Sequence, residues 1–366
     1  MLFDFFPSRT LTIYLAKTFV VRILAVLLML VLVLQMLDLL STSGKILADP
    51  ANGEAQLLQY VGLRMPQLVA RFLPYSVLLA TILTLASFSQ NSEVVAMKAA
   101  GLSAHQILAP LILAAVAVAG ISFTFNERVV TKATASLKAW EAADFGPVLP
   151  DADDRSNVYQ TDGRNVLMAG AITGTGAATR LQNVTFYERD PAGMIVRQYR
   201  AAGATWAGPG WRLEQARRFD VGPAELIEPA TGPVVALGLT PERLIIRRVD
   251  PDALSLRELS VSIAALKAAG RNTEELEGRW WHKISGPLSA VLMPLLGAVA
   301  GFGLARSGQL FARAVIGMGL GFAYFVVDNA ALALGSFGGY PPLVAAWAPF
   351  LLFFLIGETV LVRTEE

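Results

Sequence analysis

The side chains best suited to acid–base, nucleophilic or metal chemistry are almost missing from this chain. It has no cysteine and two histidines, His105 and His282. That excludes disulfides, thiolate metal sites and cysteine nucleophiles, and leaves too few imidazoles for a His-rich metal centre. Ser43-Gly44-Lys45-Ile46 has the Gly-Lys pair of a phosphate loop but lacks the upstream glycine and the following hydroxyl residue. No dinucleotide fingerprint, G-x-S-x-G elbow or H-E-x-x-H run occurs. His282 lies beside Lys283 at the edge of an apolar block and reads as an interfacial aromatic. His105 opens a different block on the opposite side, so the two histidines cannot pair. The reading is a chain with no catalytic residues, no metal site and no covalent chemistry of its own.

One polar loop carries a pattern with a purpose. Gln90 to Ser103 places Ser92 as an N-cap, Glu93 in the first turn, Gly101 as the C′ stop and Ser103 as the cap of the next helix. The expectation is a separate helix of about eight residues, about 12 Å long. Glu93 and Met97 stand at i and i+4 and share a face, with Ala100 one turn on. Two readings stand on the residues alone: a compact helix presented to something in the cytoplasm, or an elbow lying on lipid headgroups.

The elements around that loop are set by composition. Of 366 residues, 54% are hydrophobic and only 16% charged, against about 25% charged in a soluble domain. Thirty Lys and Arg against 29 Asp and Glu give +1, so no basic excess points to nucleic acid. The apolar residues gather in six blocks long enough to span a bilayer, which takes about 20 residues. They run from Thr18 to Leu40, Phe72 to Gln90, His105 to Phe125 (ended by Asn126-Glu127), Ile284 to Ala305, Leu310 to Leu334 and Leu343 to Leu361. The first block lacks a clean cleavage site and reads as a retained helix rather than a signal peptide. With the N-terminus inside, the short inner segments hold Arg9, Lys17, Arg22, Lys98, Arg306, Arg313 and Arg363. The short outer segments hold Lys45, Arg64 and Arg71. That bias places both termini in the cytoplasm and the long segment 128–281 outside.

The external segment begins with a helical stretch, Arg128 to Ala143, and breaks at Gly146-Pro147 and Pro150. Short alternating runs follow. Turn signals lie at Asp162-Gly163, Asp190-Pro191-Ala192-Gly193 and Gly208-Pro209-Gly210, and Leu244-Ile245-Ile246 gives a last strand. The pattern predicts a small β-sandwich or jelly roll. Ser255 to Glu258 then forms a capping box, Gly270 closes that helix and Asn272 caps another. That second helix leads through Trp280 and Trp281 into the fourth span.

Gln90 to Gln106 resembles the coupling-helix signature of the LptF/LptG lipopolysaccharide-export permeases, membrane subunits of an ABC transporter. The similarity runs the length of the chain. Arg71-Phe72-Leu73-Pro74 resembles the family's Pro-bearing start of helix two, and Phe125-Asn126-Glu127 its end of helix three. Trp281 to Leu288 and Tyr340 to Pro349 resemble its leads into helices four and six. The implied fold is an α-helical integral membrane protein with six transmembrane helices and a periplasmic β-jelly-roll insert between helices 3 and 4. The implied domains are 1–127, with a coupling helix at 92–100, then 128–281 and 282–366. Leu37-Asp38-Leu39-Leu40 and Asn91 to Met97 look more like the G subunit than the F subunit.

The resemblance implies a bacterial inner-membrane protein that pairs with an F-type permease and a cytoplasmic ATPase dimer. The complex would extract lipopolysaccharide and pass it to a periplasmic bridge of jelly rolls, with ATP and Mg held by the ATPase. It implies Glu93 as the ATPase contact, with Val94, Met97 and Gly101 shaping the docked helix. For the lipid path the candidates are Lys45, Lys138, Phe322, Phe325 and Asp328, and Gln35, which stands about where the family usually has a lysine. Each cation is equally an ordinary interfacial residue, and Asp328 could line the cavity, pair with an outer cation or hold the bundle together. Two rivals remain: an ABC permease for another amphiphile such as lipoprotein, or a membrane scaffold whose external domain binds a protein.

Overall fold

A computed structural model describes residues 6–146, 155–161, 164–174, 178–227, 232–236, 239–240, 249–268, 271–301 and 310–363. The expected breaks at Pro147 and Pro150, the Asp162-Gly163 turn, the strand at Leu244 to Ile246, the stop at Gly270 and the loop cation Arg306 lie outside the described residues. Two compact units emerge: Met1–Gly146 together with Asp250–Glu366, and Pro147–Val249.

The first unit is helical. α1 (Arg9–Ile46) is one helix of 38 residues, about 57 Å at 1.5 Å per residue. Ser8 caps it by accepting the Leu11 N–H at 3.4 Å. α2 (Glu54–Gln90) contains Pro66 and Pro74 in its interior. The sequence placed the start of the second span at Phe72, so Pro74 is corrected from a helix start to a mid-helix position. The added turns, Glu54 to Arg71, mix charged and apolar residues, and Tyr60 and Arg64 are held there by Asp38 on α1. α3 (Glu93–Ala99) follows, then α4 (Ala104–Phe125). Ser103 and Gln106 close the expected cap on α4, each side chain accepting the other's backbone N–H, at 3.2 and 3.0 Å.

Asn126-Glu127 ends α4 but does not end the helical run, a second correction. The chain continues as a π-helical turn, Asn126–Val130, directly into α5 (Thr131–Ala142). The polar pair does not break the helix because Glu127 finds protein partners: its carboxylate accepts the Leu256 N–H at 2.7 Å. Leu256 opens α6 (Leu256–Ala268). There the predicted capping box forms, with Ser255 N–H donating to Glu258 at 2.8 Å and hydrogen bonds from Ser255 holding the Glu258 carboxyl below its usual range. α7 (Glu274–Gly301) starts at a cap built by two residues. Asn272 Oδ1 accepts the Glu274 N–H at 2.8 Å, and Thr273 donates its hydroxyl to Glu277. α8 (Leu310–Ser336) and α9 (Pro342–Arg363) complete the unit.

Over its described residues, each of the six apolar blocks falls in a helix: α1, α2, α4, α7, α8 and α9. Among the described residues, five helices are long and apolar enough to cross a membrane: α1, α2, α4 with its continuation, α8 and α9. α7 carries the fourth block from Ile284 to Gly301 without a charge. One core joins them, with Leu15, Phe19, Leu85, Ile107, Leu292, Tyr324 and Phe353 contributed by six helices.

The second unit is an antiparallel β insert. β1 (Arg155–Thr161), β2 (Val166–Thr173), β3 (Arg180–Arg189), β4 (Ile195–Trp206) and β5 (Trp211–Glu214) pair in succession, and β8 (Val234–Val235) lies beside β5. β6 (Arg217–Asp220) pairs with β4 and with β7 (Glu225–Ile227). β4 is long enough to pair β6 through Arg197 to Arg200 and β5 through Gly203 to Trp206. Two of the predicted turns form. Gly193, at φ +86, closes β3 on β4, and Gly208, at φ +91, closes β4 on β5, a left-handed backbone that favours glycine. Trp211 is fully buried and donates its indole N–H to Leu239 O at 2.7 Å.

Candidate functional site

The short helix α3 is built at both ends, though not as its sequence suggests. Gly101 is the C′ residue at φ +88. Leu102 N–H donates to Met97 O at 3.1 Å, and Gly101 N–H to Lys98 O at 3.0 Å, the paired bonds of a Schellman stop. At the other end Ser92 takes a left-handed φ of +61 and makes no side-chain capping bond. Only its carbonyl joins the helix, accepting the Ala96 N–H at 2.9 Å. The expected Ser92 side-chain cap is therefore corrected: the α2 to α3 reversal takes only two residues, and the turn fixes the Ser92 backbone instead.

Orientation is the second difference. Val94 and Met97 are 6% and 7% exposed and belong to the same core as Leu15 and Phe19. The shared i, i+4 face of Glu93 and Met97 is thus not offered to solvent as a unit. Met97 anchors the helix while Glu93 sits half-buried at the rim, and Val95, Ala96, Lys98 and Ala99 form the exposed face. The apolar pair decides this, because burying two large side chains outweighs one charge that can remain at the rim. Tyr14 on α1 donates its hydroxyl to the Glu93 carboxylate, at 3.2 and 3.4 Å to the two oxygens. The Tyr14 ring leans on Phe88 at 5.8 Å. One turn pair further along α1, Arg22 donates to Leu83 O and Ser87 Oγ, both at 2.9 Å.

The lipid-path candidates do not form one cluster. Gln35 is 6% exposed, and neither of its amide atoms has a partner among the described residues. Lys45 lies exposed in the last turn of α1. Lys138 on α5 is bound to Asp250. Arg64 is held by Asp38 through two N–H groups at 3.1 and 3.2 Å, and Tyr60 donates to the same carboxylate at 2.6 Å. Phe322 is 64% exposed and points out of the bundle. Phe325 stacks on Tyr75 at 3.9 Å, between α8 and α2.

Asp328 is buried on α8, and the group facing it is His282 of α7, whose Nε2 lies 3.8 Å from Asp328 Oδ2. Asp328 Oδ1 is buried with no protein partner among the described residues. Asp328 thus faces α7 across the helix contact. Sequence reasoning passed over Tyr14, and it named Asp38, Arg64 and His282 without seeing that Asp38 holds Arg64 or that His282 faces Asp328. A signal existed for Asp38, a charge inside the end of the first apolar block. No local signal marks Tyr14.

Small residues allow these helices to meet. A Cβ at Gly297 of α7 would lie 2.7 Å from Thr81 Cγ2, and one at Gly321 of α8 would lie 2.2 Å from Leu78 Cδ2. Both helices therefore approach α2 at glycine, which is packing within the chain.

Residues 13–363 match the family model described as lipopolysaccharide export system permease LptF/LptG. The chain is similar to the lipopolysaccharide export system permease protein LptG of Escherichia coli (strain K12), 28% identical across 98% of this chain and 99% of that relative. It is also similar to the protein of the same name from Haemophilus influenzae, 25% identical across 85% of this chain and 87% of that relative.

Proposed function

The chain belongs to the lipopolysaccharide export system permease LptF/LptG family, and on that premise we propose that it is the G-type subunit of an inner-membrane ABC transporter. Such a subunit is transmembrane and has no nucleotide-binding domain. Its partners are an F-type permease, a cytoplasmic ATPase dimer that holds ATP and Mg, and a periplasmic bridge. Lipopolysaccharide leaves the membrane through the paired permeases without any covalent change. Both termini and α3 lie in the cytoplasm and the β insert lies in the periplasm. The working divisions of the chain are 1–127, 128–281 and 282–366.

The observation that supports coupling through α3 is its seating. Val94 and Met97 are buried in the membrane bundle while Glu93 stays at the rim, and the Gly101 stop fixes the helix end. A helix anchored in that way transmits a push from a docked ATPase into the core that it shares with α1, α2 and α4. An exposed charge contact contributes roughly 0–1 kcal/mol, whereas cutting a desolvated interfacial charge costs roughly 2–5 kcal/mol. The role therefore requires the ATPase to cover Glu93 with a basic or hydrogen-bonding group. Glu93→Ala in the assembled transporter is expected to lower ATPase binding and lipid-stimulated hydrolysis with the chain still folded. Unchanged assembly and transport would return α3 to the headgroup elbow.

For the lipid path, the buried Gln35 and the exposed Lys45 are the residues of α1 to test. Lys138 and Arg64 are already bound to carboxylates and act first as structural groups.

A further inference from the structure

We infer that Tyr14 is a positioning residue for energy coupling: its hydroxyl fixes the Glu93 carboxylate and ties the short helix α3 to α1. This rests on the coupling role proposed above for Glu93. Tyr14 reaches Glu93 across 79 positions of sequence, with its hydroxyl 3.2 Å from Oε2 and 3.4 Å from Oε1. Its ring is held against Phe88 at 5.8 Å, and Phe88 lies at the end of α2 just before the turn into α3. The Arg22 guanidinium covers the same Phe88 ring at 5.8 Å and bonds α2 at Leu83 and Ser87. α1, the end of α2 and α3 thus meet at one aromatic ring with a polar bond on each side.

A carboxylate has about four lone-pair sites. Tyr14 occupies one edge of Glu93 and leaves the others for a partner, so the two contacts are compatible. The bond holds one rotamer of a side chain that would otherwise lose its freedom on docking, and such ordering opposes binding. It also gives the coupling helix a direct grip on α1. α1 continues as one helix from Tyr14 to Gln35 and beyond, a run of about 31 Å at 1.5 Å per residue. A displacement of Glu93 is thereby delivered to the helix that carries Gln35 and Asp38 at its far end. Val94 and Met97 seat α3 in the core, but neither bonds to α1.

The test uses the full transporter, with both permeases and the ATPase, in nanodiscs. Affinity for the ATPase is read by titration, and the ratio of lipopolysaccharide-stimulated to basal hydrolysis is read alongside. Tyr14→Phe keeps the ring on Phe88 and removes only the hydroxyl. The expected result is an affinity about 2- to 10-fold weaker, the range of a single hydrogen bond, with a reduced stimulation ratio. In a Glu93→Ala background, Tyr14→Phe should add nothing, since its acceptor is gone. If Glu93→Ala weakens coupling and Tyr14→Phe leaves both readings unchanged, or tightens binding, the positioning role is overturned and the coupling reading stands. If Tyr14→Phe weakens binding equally with and without Glu93, its effect is on packing and the inference is also overturned. If Glu93→Ala itself is silent, the coupling reading fails, and this inference with it.

Discussion

Lys283 Nζ lies 3.7 Å from Glu127 Oε1, with the two side chains 12% and 18% exposed. The other oxygen of that carboxylate accepts the Leu256 N–H at 2.7 Å. Glu127 sits in the π-helical turn that follows α4, Leu256 at the start of α6 and Lys283 on α7. One acidic side chain therefore joins the segment leading out of the third span to the segments leading into the fourth.

That junction predicts an order of stabilities. Glu127→Ala removes a charged acceptor from a backbone donor and is expected to cost about 1.5–3 kcal/mol. Glu127→Gln keeps an oxygen for the Leu256 N–H and should cost less. Thermal unfolding in detergent, followed through the far-ultraviolet signal, ranks the two. An equal loss for both would mean that the ion pair with Lys283, rather than the backbone bond, carries the junction.

His282 and Asp328 supply a second comparison. His282→Ala removes a ring whose Nε2 stands 3.8 Å from the 7% exposed Asp328 carboxyl, beyond hydrogen-bond range, and is expected to cost about 1–3 kcal/mol through lost packing beside a buried polar group. Replacing both residues with leucine should be close to neutral for folding, because neither desolvated group then remains. Melting curves for the two proteins decide it. A double variant as unstable as the single one rules out a pairing role.

The contact of α7 with α2 depends on Gly297. Thr81 is fully buried and its hydroxyl is bonded to Val77 O at 2.8 Å, and β-branched side chains in helices have few rotamers to move into. Gly297→Ala is expected to destabilise by about 1–3 kcal/mol through overpacking. Gly62→Ala, inside α2 with nothing within 4 Å, is the control and should be neutral to stabilising by up to about 1 kcal/mol. Both are measured as shifts in melting temperature, and a harmless Gly297→Ala would show that the helices separate easily.

Topology is open to a direct assay because the chain has no cysteine. Ala192→Cys, in the β3–β4 turn, should react with an impermeant thiol reagent in intact spheroplasts. Ala99→Cys, on the exposed face of α3, should react only after the membrane is opened. The reverse pattern would invert the orientation.

The sequence alone determined the apolar blocks of the spans, the β insert between the third and fourth of them, two hairpin turns, the cap at Ser103 and the capping box at Ser255. These are readable because they are local. An uncharged run of bilayer length, a glycine at positive φ, or a hydroxyl three residues before a Gln or Glu satisfies its physical requirement within a few positions. Only the tertiary structure decided the rest. Helical spacing puts Glu93 and Met97 on one face, but it was the shared core that took Met97 inward and left Glu93 at the rim with Tyr14. Polarity suggested that α2 begins at Phe72 and that the third helical run ends at Asn126-Glu127. Both runs extend further, because Arg64 and Glu127 find their partners on other helices, at Asp38, Leu256 and Lys283. A polar residue stops a helix or is carried within it according to whether a distant group can satisfy it, and that group's position exists only once the bundle has folded.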